Sequence, residues 1–303
     1  MGWCDEALGF PDPSGGEDSA CPPQTEIDAR LAAFPVEDLV RAWRESSTTS
    51  LKDQTAGTHA FRMYFDGLAH DDPERAVAFV EAELAGEPDD AMVALVAEGK
   101  LLGQLLHFHG PRVATALQSL ALRQPRLRWL LGAAALSIEG GLVESAEAKR
   151  RLLAIADEAA YRTWREHYRA DAETIDFASL SVAELASLWV EVMNRSDVEK
   201  ERDDNWSDLF DFQNELVSND PLEALELVKA ILAIEDNPNV LGLLAAGMLE
   251  DLIPADDGPV IDAVVDEASR NEKFRRLLGG VWFYGMSPKV AERLEQARGE
   301  VRW

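Results

Sequence analysis

Two halves of this chain repeat one another. "DDPERAVAFVEAEL" (71–84) aligns with "NDPLEALELVKAIL" (219–232), so that Asp72-Pro73 falls on Asp220-Pro221 at an offset of 148 residues. At the same offset "VAEGKLLGQLL" (96–106) falls on "LAAGMLEDLIP" (244–254), and Gly110-Pro111 falls on Gly258-Pro259. "PVEDLVRAW" (35–43) aligns with "SVAELASLW" (181–189), placing Trp43 over Trp189, and "RLRWLLGA" (126–133) follows "KFRRLLGG" (273–280) with one residue of slippage. Matched blocks in one order imply a single supersecondary plan used twice, over about 35–156 and 181–298. Whatever one copy folds into, the other must accept.

That plan reads as helices. Asp72 and Asp220 are N-cap residues, each followed by proline at the first helical position and an acidic residue in the first turn, which suits the unpaired amides and the helix dipole. After Pro221 the apolar residues Leu222, Leu225, Val228 and Leu232 recur at helical spacing. No run of alternating β-branched residues and no Asn-Gly or Asp-Gly hairpin signal stands anywhere in the chain. The expected class is all-α, a tandem duplicated helical domain with HEAT-like or related α-repeat stacking. Residues 1–34, with "PDPSGGEDSACPPQ", read as a flexible tail, 35–156 as copy one, 157–180 as a connecting helix, and 181–303 as copy two. On the connecting helix Tyr161, Trp164 and Tyr168 form one stripe, which predicts burial between the copies.

Charge narrows the functions. The 303 residues carry 56 Asp and Glu against 29 Lys and Arg, a formal net charge of −27. Such a surface repels phosphate backbones and anionic lipid, so we expect neither a nucleic-acid nor a membrane partner, and a basic protein fits better. No stretch reaches the roughly 18 apolar residues of a membrane helix. The opening "MGWCDEALGF" lacks the basic and apolar regions of a secretory signal, so the cytoplasm is the expected location. The only cysteines, Cys4 and Cys21, read as free tail thiols, since no disulfide framework supports the body of the chain. The excess charge is uneven. Residues 35–156 hold 17 acidic and 13 basic side chains, whereas 181–298 hold 25 acidic and 11 basic. The densest acidic run, "DVEKERDDNWSDLFD" (197–211), surrounds Trp206 with Asp203, Asp204 and Asp208. Either it is a solvated stretch with Trp206 turned into the core, or it is a partner-binding surface with Trp206 as the anchor.

A second acidic feature, Glu250-Asp251, interrupts an apolar stretch. On a helix through 241–253, Leu241, Leu244, Ala245, Met248, Leu249 and Leu252 share one face, with Glu250 roughly opposite and Asp251 on the flank. Neighbours about 100° apart are poorly placed to share a reacting atom, so a catalytic dyad is not expected. Glu250 is expected to accept hydrogen bonds from a nearby loop or helix start, with Asp251 near the surface.

"LAAGMLEDLI" followed by "FRRLLGGVW", with Trp206 and Asp220-Pro221 upstream, resembles an uncharacterised bacterial domain-of-unknown-function family. That family's pattern runs Trp, Asp-Pro-Glu, "AAGPLEDLL" and "LLGGVW". The resemblance marks Trp206, Gly247, Glu250, Asp251 and Trp282 as signature positions, with copy one a diverged version, and implies no activity. Met248 stands where the family has proline, which leaves open whether the helix breaks after Gly247.

Motifs for catalysis or cofactors are few. There is no Walker loop, no GxSxG, no HExxH and no zinc-type cysteine pattern. His107 and His109 fall on different sides of a helix, and His109 reads as a cap or turn residue before Gly110-Pro111. "DDNWSD" lacks the glycine and terminal glutamate of a calcium loop, and "LLGG" (277–280) reads as a helix end. No metal and no cofactor is expected. The favoured reading is a non-enzymatic binding protein, most concretely an immunity-type protein that neutralises a basic toxin such as a nuclease. The alternative is an enzyme or small-ligand protein with its site between the copies, near Glu250 and Trp282.

Overall fold

Asp72 and Asp220 do what a residue before proline at a helix start should do. In a computed structural model of the protein, Asp72 Oδ1 accepts from the Arg75 amide at 3.0 Å and Asp220 Oδ1 from the Glu223 amide at 3.1 Å. Pro73 and Pro221 occupy the first helical position behind them. The structure describes residues 2–10, 22–86, 90–98, 100–135, 138, 143–168, 175–202, 205–254, 257–283 and 285–300, and only the backbone of 90, 97, 98, 100 and 164–168. Among the described residues there is no strand. The protein is all-α, and two compact units divide it: Met1–Asp171 with Ser196–Asp203, and Ala172–Arg195 with Asp204–Trp303.

In the first unit the helix Lys100–Ala121 packs against Ala56–Asp71, Pro73–Ala85 and Ala146–Leu153. Its Leu102, Leu105, Leu106, Val113 and Leu117 are all buried. Trp43, Phe61, Phe65 and Phe79 gather beside it from the helices Val36–Thr48, Ala56–Asp71 and Pro73–Ala85. The fully buried Glu83 receives Arg44 Nε on both carboxylate oxygens, at 3.2 and 2.9 Å. The sequence alignment sets Val190 and Ile231 against these two positions.

Three expectations need correction here. The first concerns the segment read as a flexible tail, whose described parts form the helices Trp3–Leu8 and Gln24–Ala33. Cys4, Leu8, Ile27 and Leu31 join the hydrophobic core. Asp5 anchors the segment by accepting from the Gly57 amide at 2.9 Å, at the start of the helix Ala56–Asp71. A Cβ on Gly57 would stand 2.7 Å from the Asp5 amide nitrogen, so glycine permits this approach. Cys4 is a free, buried thiol whose pKa is pushed well up, by burial first and then by Glu45. Cys21 lies outside the described residues.

The second correction is at Pro111. The expected turn at Gly110-Pro111 is absent, and the helix Lys100–Ala121 runs through it. Proline forfeits one helical hydrogen bond, but packing on both sides of the site outweighs that loss. Gly110 lies so close to Val143 that a Cβ would meet its side chain at 2.9 Å. His109 therefore sits within the helix, where its Nε2 meets the His70 carbonyl at 2.9 Å.

The third concerns the boundaries. The helix Glu158–Tyr168 belongs to the first unit and packs on Pro125–Ala133, with Tyr161 buried. The side chains of Trp164 and Tyr168 lie outside what the structure describes. Residues 196–203, expected in copy two, also belong to the first unit, where the helix Asp197–Arg202 packs against Val36–Thr48 and Asp90–Glu98. Ser196 starts it with a reciprocal cap, its hydroxyl meeting the Glu199 amide while Glu199 accepts from the Ser196 amide at 2.8 Å. That local signal was legible, but the partner of the helix was not.

In the second unit the helix Val182–Asn194 lies along Pro221–Ile234. Trp189 is 2% exposed and donates its indole N–H to Gln213 Oε1 at 2.9 Å. Lys273 closes the C-terminal end of Pro221–Ile234 by donating Nζ to the carbonyls of Leu232 and Glu235 at 2.5 and 2.8 Å. The helices Pro259–Arg270, Glu272–Leu278 and Pro288–Arg298 complete the unit.

Candidate functional site

The helix Asn205–Asn219 sorts its side chains into two neighbouring columns. Leu209 and Gln213, four residues apart, point inward and are buried, with Gln213 held by Trp189. Trp206 and Phe210, also four apart, form the next column and stay at the surface, 37% and 43% exposed. Their rings stack with centroids 6.1 Å apart and 18° between planes. Trp206 is therefore a surface aromatic, not a core residue. Asp208 and Asp211 are exposed on the same helix, while Asp203 and Asp204 lie outside the described residues. Phe210 escaped the sequence reading, although its spacing from Trp206 was the available signal.

Gly247, Glu250 and Asp251 lie on elements packed against this helix. The expected single helix through 241–253 is instead Pro238–Leu244, a π-helical turn Ala245–Leu249 and a last turn Glu250–Leu252. Gly247 leaves helical geometry at φ −114° and ψ −107°, so the chain breaks at the glycine even with Met248 in place of proline. The predicted inward face survives the break, with Leu241, Leu244, Ala245, Met248, Leu249 and Leu252 all buried. A π-turn is rare and often marks a functional position, because it re-aims the side chains that follow it.

Here it aims Glu250 at the backbone. Glu250 Oε2 accepts from the Trp282 amide at 2.9 Å, the kind of role expected for it, and the Trp282 indole is left 74% exposed. Asp251 is exposed and takes no part in this bond. Local desolvation, and secondly the charge of Glu250, raise its pKa above the ordinary aspartate value. The two carboxylates thus do different work, and the arrangement presents an indole held by its own amide rather than a proton-sharing dyad.

The Asp251 shift carries a testable sign. A carboxyl whose folded-state pKa is raised adds stability that is present in acid and lost as pH rises through the folded pKa. Asp251→Asn lacks that loss, so the stability difference between the variant and the wild type should grow in the variant's favour from about pH 4 to pH 7. Urea titrations across that range measure it. A difference that is flat or shrinks with pH contradicts the assignment.

Among the described residues no three His, Cys, Asp or Glu side chains converge as a metal site, and no helix is long and apolar enough to cross a membrane. Comparison with known proteins adds one match: a family of unknown function (DUF6869) matches residues 194–301, a span that holds Trp206, Gly247, Glu250, Asp251 and Trp282. The resemblance to an uncharacterised family is thereby supported over about a third of the chain. No curated protein and no solved structure matches the chain.

Proposed function

We propose that the chain is a non-enzymatic binding protein whose second unit receives a basic protein partner, in the manner of an immunity protein that covers a basic toxin. The observation that carries this reading is the stacked, surface-lying Trp206–Phe210 pair within the most acidic stretch of the sequence. A large aromatic that stays at the surface while flanked by carboxylates suits a contact in which charge guides approach and the ring anchors. Trp282, exposed on the same unit, extends the aromatic surface available to a partner. The two units are also read as copies of one helical plan. Matched caps at Asp72 and Asp220, and the equal 13-residue lengths of Val36–Thr48 and Val182–Asn194, support that reading. On this view, one copy serves as scaffold and the other, with 25 acidic against 11 basic side chains, as the interaction surface.

The test begins with capture of a partner from the source cells, followed by kinetics with the isolated partner. Lysine at Asp203, Asp204 and Asp208 should slow association by about tenfold or more at low salt while leaving the helical content unchanged. Raised ionic strength should slow the wild type in the same way. Trp206→Ala should shorten the lifetime of the complex. A partner that is acidic, indifferent to salt, or bound through residues 35–156 alone defeats the proposal.

A further inference from the structure

The aromatic cluster of the first unit borders a cavity of about 270 Å³, lined among others by Trp43, Phe61, Arg62, Phe65, Asp66 and Asp197. The faces of its rings are largely turned on one another. Trp43 lies 6.2 Å from Phe65 and edge-on to Phe79 at 5.5 Å, while Phe61 stacks on Phe65 at 5.5 Å.

What remains open is a donor. The Trp43 indole N–H has no acceptor among the described residues, and its nitrogen is not sealed from solvent. In the second unit the aligned Trp189 donates to Gln213. The position of Gln213 is taken in the first unit by Phe65. The helix turn that supplies an amide to one indole thus supplies a ring to the other, and a donor is left over beside a cavity.

The polar groups around the cavity restrict its guest. Arg62 Nη2 is committed, donating to the Ser46 carbonyl at 2.8 Å and to Asp197 Oδ2 at 2.5 Å, while its Nε is sealed in the interior without a partner. Two carboxylates against one guanidinium disfavour an anion. A cation would seek ring faces that are already covered. Lys200 sits close enough to sense both Asp197 and Arg62, and burial holds its pKa below the usual lysine value. A concave, aromatic-walled space with a few convergent polar groups and a perturbed titratable neighbour is the ordinary form of a small-molecule site. By volume it suits a guest of about nine non-hydrogen atoms, at roughly 30 Å³ each.

We propose that this cavity binds a small, uncharged, planar molecule with a carbonyl or ring-nitrogen acceptor, of the class of aromatic amides and single-ring heterocycles, which takes a hydrogen bond from Trp43. The proposal is independent of the acidic face on the second unit.

Three probes sharing one ring test it: benzamide, benzoate and benzylamine, titrated into the full chain while the Trp43 indole N–H resonance is followed by NMR. Benzamide should shift that resonance and bind at least tenfold more tightly than the anion or the cation. Trp43→Phe should weaken benzamide at least tenfold with helical content retained. Phe65→Gln, which installs the second unit's own acceptor, should exclude it. The proposal is overturned if benzamide leaves the resonance unmoved, if either charged probe binds as well, or if a folded Trp43→Phe binds benzamide unchanged. Should Trp43→Phe fail to fold, the three probes on the wild-type chain are sufficient to decide between these outcomes.

Discussion

Replacing Trp189 by alanine is expected to cost the second unit about 3–5 kcal/mol. The side chain is 2% exposed on the helix Val182–Asn194, which lies along Pro221–Ile234, so no solvent can fill the space it leaves. Its loss also strands the buried Gln213 amide, an unsatisfied group costing about 1–3 kcal/mol. Domains are stable by only about 5–15 kcal/mol in total, so such a loss would populate the unfolded unit at physiological temperature. Trp189→Phe separates the two terms: it keeps most of the ring and removes the hydrogen bond, so it should cost less than the alanine variant. Urea denaturation followed by far-ultraviolet circular dichroism checks both. If the alanine variant loses less than about 1 kcal/mol, Trp189 is not the keystone of its unit that burial implies.

Gly132→Ala should also destabilise, against the local preference of the backbone. Within a helix alanine is favoured over glycine by about 1 kcal/mol, so in open space this substitution would help. Gly132 has no open space. A Cβ there would stand 2.6 Å from the Asp157 carbonyl oxygen and 2.9 Å from the Glu158 nitrogen. These are backbone atoms at the start of the helix Glu158–Tyr168 and cannot rotate away. The Asp157 amide is itself tied to the Arg128 carbonyl at 2.9 Å. Overpacking of this kind costs about 1–3 kcal/mol, enough to reverse the propensity gain. Faster hydrogen exchange across 157–163 in the variant would locate the damage, and a variant as stable as wild type would show that the contact is looser than the geometry states.

The residues that made the fold legible act on their own neighbours. Asp72-Pro73 and Asp220-Pro221 start helices because the capping carboxylate and the amide it satisfies lie three residues apart. The apolar face from Leu241 to Leu252 was readable for the same reason, as was the outward place of Asp251. What stayed hidden depends on partners far along the chain. Asp5 meets Gly57 across 52 residues, and that contact turns an apparent tail into structure. Pro111 looks like a stop until Val143 packs on Gly110. Glu250 was assigned an acceptor role correctly, but Trp282 as its donor lies 32 residues away and no pattern names it. At the candidate surface, Trp206 was found by its company of carboxylates, whereas Phe210 was found only by its stacking. The cavity beside Trp43 left no motif, because its lining comes from separate stretches of the chain, from Trp43 to Asp197.

The assignment of residues 196–203 to the first unit bears on the order in which the chain can finish itself. During synthesis the first unit stays incomplete after residue 171 has emerged, since Val198 of its core and the carboxylate that meets Arg62 are still to come. By then the helix Val182–Asn194 has been made, and it belongs elsewhere. A chain cut at residue 195 should therefore behave as a protein with a missing piece rather than as a free-standing half, and supplying 196–203 as a separate peptide is the natural way to restore it.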